Sequence, residues 1–304
     1  MPAISEIYVK KATSDKASLE LNAIVYATDL SLGSQNAGLF AVHIAACLSA
    51  RLLVVHAFTL SQSALEVEIL QSRSSQQRQD LNALLAGRTA LLTSDNVEAI
   101  PKLLEGNPQK IVPEVANFHA PSLIVMGAYG GGRFGRGVFG SVSEQILWSS
   151  PLPSLTVGPK VPLISLSIFP CKKLLYVTDF TAAAAHAAEF AVTFAEALGA
   201  EIDVLGLLGA KAVLQQDRLA DSHKKLLSTL DDHEPTRLRN IFNSKTHVAV
   251  GKAHDRIIEV IKERSIDMLV LGIQKASRFG MEKRTPDVFQ LIVDAQCPVL
   301  TVRI

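Results

Sequence analysis

An internal repeat constrains this chain more than any other feature of its sequence. Residues 25–31 read VYATDLS and residues 175–181 read LYVTDFT, a shift of 150 positions. Residues 106–157 align without a gap onto residues 251–302, a shift of 145 positions. A repeat of this length indicates two copies of one domain, with five residues fewer in the middle of the second copy.

The length of 304 residues fits two domains, since a typical domain has about 150. We expect a first domain over residues 1–158 and a second over residues 159–304, because Pro159, Pro162 and Pro170 interrupt regular structure between the copies. Either half is long enough to bury a hydrophobic core of its own.

Each copy alternates short apolar runs with segments of helical periodicity. In the first copy, strands are predicted over residues 23–27, 52–57, 97–104, 123–127 and 155–157, and helices over residues 36–49, 63–92, 108–119 and 141–149. Near-continuous apolar strands separated by helices are typical of a parallel sheet that is covered on both faces. We therefore predict two tandem doubly wound α/β domains of five strands each, with a ligand crevice at the carboxyl ends of the strands.

The composition excludes several classes of partner. Lys and Arg total 30 against 29 Asp and Glu, so no overall positive field directs the chain to nucleic acid. Apolar residues make up 48%, too many for a disordered chain, and Arg51 interrupts the longest apolar stretch, so no membrane span is predicted. We expect a cytoplasmic protein whose three cysteines, Cys47, Cys171 and Cys297, are reduced and buried.

The most informative segment is residues 126–144, MGAYGGGRFGRGVFGSVSE, which follows a predicted strand and precedes a predicted helix. Seven of its nineteen residues are glycine, so its backbone N–H groups can come close to a ligand. Arg133 and Arg136 add positive charge. Ser141 and Glu144 match a capping box, which predicts that a helix N-terminus begins here. Because a helix N-terminus attracts anions, the segment predicts a phosphate site.

Two familiar phosphate motifs do not fit this segment. A P-loop requires a lysine after its glycines, and none follows here. A dinucleotide fingerprint requires an acidic residue about 20 positions after its glycines, whereas residues 145–178 contain no Asp or Glu.

The spacing of the glycines instead resembles a family motif. The pattern G-x2-G-x9-G-[ST] is filled by Gly127, Gly130, Gly140 and Ser141, and resembles the ATP-binding motif of the universal stress protein family. Both copies are also similar to that family in an opening strand that ends in Thr-Asp. The resemblance implies a tandem universal stress protein with a Rossmann-like fold of the adenine nucleotide alpha hydrolase-like type.

The same resemblance implies an adenine-nucleotide site in the first copy. Asp29 and the backbone around Ala57 would contact the adenosine. The rest of the site would come from the glycine-rich segment: Met126, Gly127, Gly130, Arg133, Gly140, Ser141, Val142 and Ser143. The implied ligand is ATP accompanied by Mg²⁺, with AMP and ADP left open.

The residues themselves leave two of these positions ambiguous, Asp29 and Arg133. Arg133 recurs as Arg278 in the second copy, so it also suits a structural role. Asp29 also suits an Asx-turn or a cap on the following helix, and its equivalent Asp179 recurs in the second copy. His56 is predicted to be a packed strand residue rather than a catalytic base.

The second copy lacks the phosphate chemistry. Lys275, Thr285 and Pro286 stand where the first copy has Gly130, Gly140 and Ser141. Proline at the helix start removes one N–H group, and the nearby Glu282 and Asp287 add negative charge. We predict no triphosphate in the second copy, which serves as a packing partner or holds a different ligand.

The sequence favours a binding protein over an enzyme. It assigns no catalytic residue and no metal-binding residue, because residues 126–143 supply no base and no carboxylate for a metal. We predict a switch in stress response or signalling that depends on bound ATP. The alternatives are a slow ATPase, and a small-molecule carrier or interaction scaffold that uses the apolar crevices without ATP. By family resemblance the closing strands, residues 155–157 and 299–303, pair within the chain as a pseudo-dimer, and a homodimer is left open.

Overall fold

Most of the apolar runs in both copies form strands that are buried on both faces. The computed structural model describes residues 9–10, 18–59, 67–94, 96–129, 139–167, 171–178, 182–208, 246–273 and 288–303. The strands of the first copy are β3 (Ala23–Ala27), β4 (Arg51–Phe58), β5 (Ala99–Glu105), β6 (Ser122–Gly127) and β7 (Ser154–Val157). Its helices are α1 (Gln35–Leu48), α2 (Val67–Ala90), α3 (Pro108–Phe118) and α4 (Ser141–Ser149).

The second copy repeats this order within the part that the structure describes. Its strands are β8 (Lys173–Thr178), β9 (Glu201–Leu208), β10 (Thr246–Val250), β11 (Met268–Ile273) and β12 (Val299–Arg303). Its helices are α5 (Ala182–Ala197), α6 (Ala253–Glu263) and α7 (Val288–Asp294). The alternation of strands and helices confirms the predicted α/β fold with five strands in each copy.

One ten-stranded sheet contains both sets of strands, in the order β10-β9-β8-β11-β12-β7-β6-β3-β4-β5. Pairing is parallel within each copy and antiparallel between β7 and β12. The register places Leu155 opposite Leu300, its own equivalent in the repeat. Within the first copy, consecutive strands run from β3 outward to β5 on one side, and the chain then returns to place β6 on the other side of β3. This reversal creates a crevice between β3 and β6.

Several contacts join the two copies outside the sheet. Gly158, directly after β7, lies so close to α7 that an added Cβ would overlap the carbonyl oxygen of Ile292. The ammonium group of Lys160 lies 2.6 Å from Oδ1 of Asp294. The Asn36 side chain on α1 donates to the carbonyl of Pro162 at 3.0 Å, which holds the connecting segment against the first copy.

Some predictions about the chain need correction. A small antiparallel pair, β1 (Val9–Lys10) and β2 (Ser18–Leu19), was not predicted. All three cysteines are free, but Cys47 is exposed, whereas Cys171 and Cys297 are buried as predicted. Burial raises the pKa of Cys297 to about 12, so this thiol stays protonated. None of the helices in the described ranges combines the length and hydropathy that crossing a bilayer requires.

Candidate functional site

A cavity of about 630 Å³ lies at the carboxyl ends of β3, β4 and β6, beside the start of α4. This is the edge of the sheet where the strand order reverses, the usual ligand position in open α/β sheets. The lining residues are Ala27, Thr28, Asp29, Ser34, Val55, Ala57, Pro108, Val112, Met126, Gly127, Tyr129, Phe139, Gly140, Ser141, Val142, Ser143 and Ile146.

The structure brings together the predicted site residues that it describes. Eight of them line this one cavity: Asp29, Ala57, Met126, Gly127, Gly140, Ser141, Val142 and Ser143. Gly130 and Arg133 lie outside the described residues, as do Asp179 and the second-copy segment that contains Lys275, Thr285 and Pro286.

The N-terminus of α4 forms the most polar part of the wall. Gly140 is its N-cap residue, with φ −67° and ψ 132°, and its amide donates to the carbonyl of Ala128 at 2.8 Å. Ser143 Oγ donates to the carbonyl of Gly127, also at 2.8 Å, which ties the first turn of the helix to the end of β6. The start of α4 is therefore fixed to the sheet by two hydrogen bonds.

The predicted capping box is wrong, although α4 does begin directly after Gly140. Ser141 is the first helical residue rather than the N-cap, so its hydroxyl is not positioned to cap the first turn, and no side chain caps the helix. Within the described part of the chain, no acceptor is hydrogen bonded to the amides of Ser141, Val142 or Ser143. A glycine N-cap leaves these amides and the positive end of the helix dipole for an anion.

Opposite α4, the segment after β3 is held by a buried hydrogen-bond network around Ser34. Tyr26 donates its hydroxyl to the carbonyl of Ser34 at 2.7 Å, and the hydroxyls of Thr28 and Ser34 are 2.9 Å apart. Burial raises the pKa of Tyr26, so its hydroxyl remains a donor at neutral pH. The polar groups on this side of the cavity are thus fixed before any ligand arrives.

Asp29 lines the cavity and also forms the Asx-turn given as its alternative role. Its Oδ1 accepts from the amide of Ser31 at 3.1 Å and from the hydroxyl of Ser31 at 2.6 Å. The next residue, Leu30, has a φ of +64°, and its carbonyl accepts from Nη2 of Arg88 at 3.2 Å. The turn holds the exposed carboxylate at the edge of the cavity.

His56 is a half-buried residue of β4, as predicted. Its Nδ1 lies 2.8 Å from the carbonyl oxygen of Thr28, so Nδ1 carries the proton and donates to it. This hydrogen bond joins β4 to the segment after β3, and the ring does not line the cavity.

Sequence reasoning missed several apolar residues of the cavity wall. Pro108 and Val112 belong to the first turns of α3. Tyr129 and Phe139 belong to the glycine-rich segment, residues 126–144. The four-residue spacing of Pro108 and Val112 placed them on one helix face, but no local pattern indicated which cavity that face meets. Among the described residues, no partner accepts or donates to the buried Tyr129 hydroxyl, and burial raises the pKa of this group.

Among the described residues, no group of three or more His, Cys, Asp or Glu side chains is placed to hold a metal ion.

The fold and this crevice define a tandem pair of doubly wound α/β domains with a ligand-sized cavity in the first. Residues 20–158 and 170–303 each match the sequence model of the Universal stress protein family. The chain therefore belongs to the universal stress protein family, as a tandem member. No curated protein sequence matches this chain.

Two solved structures show the same fold at low identity, and a third is similar to part of the chain. A universal stress protein from Archaeoglobus fulgidus is 18% identical with a TM-score of 0.67, over 94% of this chain and 99% of that chain. A protein of unknown function from Pseudomonas aeruginosa is 14% identical with a TM-score of 0.57, over 93% and 92%. A universal stress protein in complex with cAMP is 22% identical with a TM-score of 0.34, over 45% of this chain and 97% of that chain.

Proposed function

We propose that the first copy binds an adenine nucleotide, ATP with Mg²⁺, and that the chain acts as a nucleotide-dependent switch in a cytoplasmic stress response. One observation carries this proposal: the glycine-capped N-terminus of α4 faces the cavity at the reversal point of the sheet. Backbone amides at a helix N-terminus are a ready site for phosphate, because their N–H groups and the helix dipole both favour negative charge.

The dimensions of the cavity suit a ligand of this size. Its volume of about 630 Å³ falls within the range of roughly 300–1,000 Å³ that is usual for small-molecule and cofactor sites. The phosphates would lie against the amides of residues 141–143, and the adenosine would lie toward Asp29 and Ala57. Gly130 and Arg133, which the family motif includes, would complete the phosphate side.

The small number of carboxylates among the described lining residues favours nucleotide binding over rapid hydrolysis. Asp29 is the one carboxylate among the described lining residues, and its Oδ1 is already hydrogen bonded within its own turn. Mg²⁺ commonly keeps several waters and binds through phosphate oxygens, so a triphosphate can bring the ion without a protein cage. We therefore propose no catalytic residue, and a slow ATPase is the outcome to test against.

A second candidate, a carrier of an apolar small molecule, has an observation in its favour. Val55, Val112, Met126 and Ile146 give the cavity an apolar wall. The α4 amides distinguish the two candidates, because an apolar ligand gains nothing from unpaired N–H groups while a phosphate does.

We also propose how the two copies are organised. The boundary would lie at residues 158/159, and the copies would form an intramolecular pseudo-dimer through β7 and β12. Their antiparallel register supports a local two-fold arrangement, because Leu155 faces its repeat equivalent Leu300. The second copy would then be a packing partner without a triphosphate of its own.

The test is isothermal titration of the full chain with ATP and Mg²⁺, and with ADP, AMP and cAMP, comparing two variants of Ser141. Ser141→Pro deletes one amide donor, yet proline is favoured at the first helical position, and the extended backbone of Gly140 is compatible with a following proline. Ser141→Ala removes the hydroxyl and keeps the amide, so it is the matched control.

A hydrogen bond to a charged group contributes roughly 1.5–3 kcal/mol, so Ser141→Pro should weaken ATP binding by about tenfold or more. Ser141→Ala should bind within about twofold of the natural chain. Failure of every adenine nucleotide to bind, or equal affinities in the two variants, would contradict the proposal. Mass spectrometry of ligand extracted from native protein would identify an apolar metabolite if the chain is a carrier.

A further inference from the structure

The second copy contacts the first at the helix whose amides face the cavity. Phe289 on α7 lies against Phe139, with ring centroids 4.6 Å apart and planes inclined by 44°. The same ring makes an edge contact with Trp148, at 5.6 Å and 85°. Phe139 directly precedes the N-cap of α4, and Trp148 is the last residue but one of that helix. One side chain of the second copy therefore touches residues at both ends of α4.

A second group from the same copy acts at the carboxyl end of α4. Nη1 of Arg303, on β12, donates to the carbonyls of Trp148 and Ser150. A cation here satisfies carbonyls that the helix leaves unpaired and complements the negative end of the helix dipole. The aromatic contact and the charged contact thus restrain the position of α4 from outside the first copy.

Helix α7 contacts the end of the first copy, the segment that joins the copies, and α6 of its own copy. The carboxylate of Asp294, at its end, lies 2.6 Å from Nζ of Lys160 and 3.1 Å from Nε2 of His254. The backbone of Gly158 lies directly against the carbonyl of Ile292. These contacts hold α7, which carries Phe289, against the segment that follows β7.

Phe139 connects this support to the ligand cavity. It lines the cavity, and the following amide, that of Gly140, donates to Ala128. A shift of Phe139 would therefore move the N-cap and the amides of residues 141–143 relative to the end of β6. Positioned donors lose much of their effect when their geometry is displaced by even 1 Å or so.

We propose that the second copy is a positioning element for the phosphate end of the first-copy site, with Phe289 as its principal residue. The inference rests on the proposed nucleotide function. It adds that the first copy binds the nucleotide while the second copy positions the helix that binds the phosphates. Phe289 does not touch the cavity, so it acts through Phe139 and α4. It should matter for ligands that carry phosphates and not for the nucleoside alone.

The test measures the affinities of ATP with Mg²⁺ and of adenosine for the full chain carrying Phe289→Ala or Phe289→Leu. Val204→Ala is the matched control, because it also removes buried apolar volume from the second copy, on β9, on the opposite side of that copy from β12. Circular dichroism establishes that each variant is folded at the titration temperature.

We expect Phe289→Ala to weaken ATP binding by about tenfold, equivalent to about 1.4 kcal/mol, with adenosine changed by less than twofold. Phe289→Leu should recover part of the ATP affinity, since it keeps apolar contact with Phe139. Val204→Ala should leave the ratio of the ATP and adenosine affinities unchanged.

The remaining outcomes overturn the inference in separate ways. Equal weakening of ATP and adenosine would show a general loss of structure, and unchanged ATP affinity would show that Phe289 has no effect on the site. Failure of the natural chain to bind ATP would instead refute the proposed function. A double substitution with Phe139→Leu adds a further check, because the two losses should be less than additive if the two rings act together.

Discussion

Gly158 gives the sharpest test of how the two copies fit together. A Cβ built on Gly158 would overlap the carbonyl oxygen of Ile292 and would lie 3.2 Å from the carbonyl carbon of the same residue. Ile292 is fully buried in α7. Substitution of Gly158 by alanine therefore forces a methyl group against the backbone of a packed helix.

The expected cost follows from what has to move. A flexible side chain could rotate away from the new methyl group, but a helix carbonyl moves only with its helix. The Lys160–Asp294 ion pair and the contact between Phe289 and Phe139 both oppose that displacement. Overpacking of this kind costs about 1–3 kcal/mol, and we expect Gly158→Ala to lie in the upper half of that range.

Urea denaturation followed by tryptophan fluorescence is a suitable assay, because Trp148 is the single tryptophan of the chain and contacts Phe289 from the second copy. Gly87→Ala is the matched control. An added Cβ at Gly87 meets no atom within 4 Å, and alanine is a better helix former, so this variant should gain about 0.5–1 kcal/mol. If Gly158→Ala were as stable as the natural chain, α7 would not lie against Gly158, and the reasoning about the contact between the copies would be wrong.

Two further predictions concern the site and its support. A Cβ on Gly127 would lie 3.3 Å from the carbonyl oxygen of Gly33, so Gly127→Ala should lower the free energy of unfolding by about 1 kcal/mol in the same assay, and an unchanged value would contradict the tight approach. The hydrogen bond from Lys160 lowers the pKa of Asp294 from 3.8 to about 2. Because the folded value is the lower one, this stabilisation is present above about pH 4 and is lost as the pH falls toward 2, so Asp294→Asn should lose less stability than the natural chain over that window. Equal acid titrations of the two proteins would refute this assignment.

The repeat and the apolar runs were enough to predict the fold. Strand β3 was predicted with its observed ends, because an apolar segment buried on both faces ends abruptly at polar Thr28 and Asp29. The small pair formed by β1 and β2 was not predicted, since strands of two residues are too short to show a periodicity. Local composition was therefore enough to predict a strand that is buried along its length, and not enough to predict a pair of two-residue strands.

Eight residues of the cavity lining were predicted from the sequence, and several apolar ones were missed. Glycines and a helix start are local signals, and they identified Gly127, Gly140 and Ser141. The capping-box prediction was wrong because S-x-x-E at residues 141–144 also fits the first turn of a helix. The N-cap of this helix is a glycine, and no side chain caps it. The contribution of Phe139 to the cavity wall depends on tertiary packing, which no pattern of spacing contains.

Equivalent positions of the repeat make different contacts in the two copies. Phe289 of the second copy aligns with Glu144 of the first under the shift of 145 positions, and Arg303 aligns with Gly158. Gly158 has no side chain and so leaves room for α7 to pack against the first copy, whereas Arg303 donates a hydrogen bond to a carbonyl at the end of α4. A symmetric pair of copies would hold the two helices through equivalent residues. Here Phe289 and Arg303 of the second copy contact α4, whereas Gly158 and Lys160 contact its repeat equivalent α7, so different residues hold the two helices.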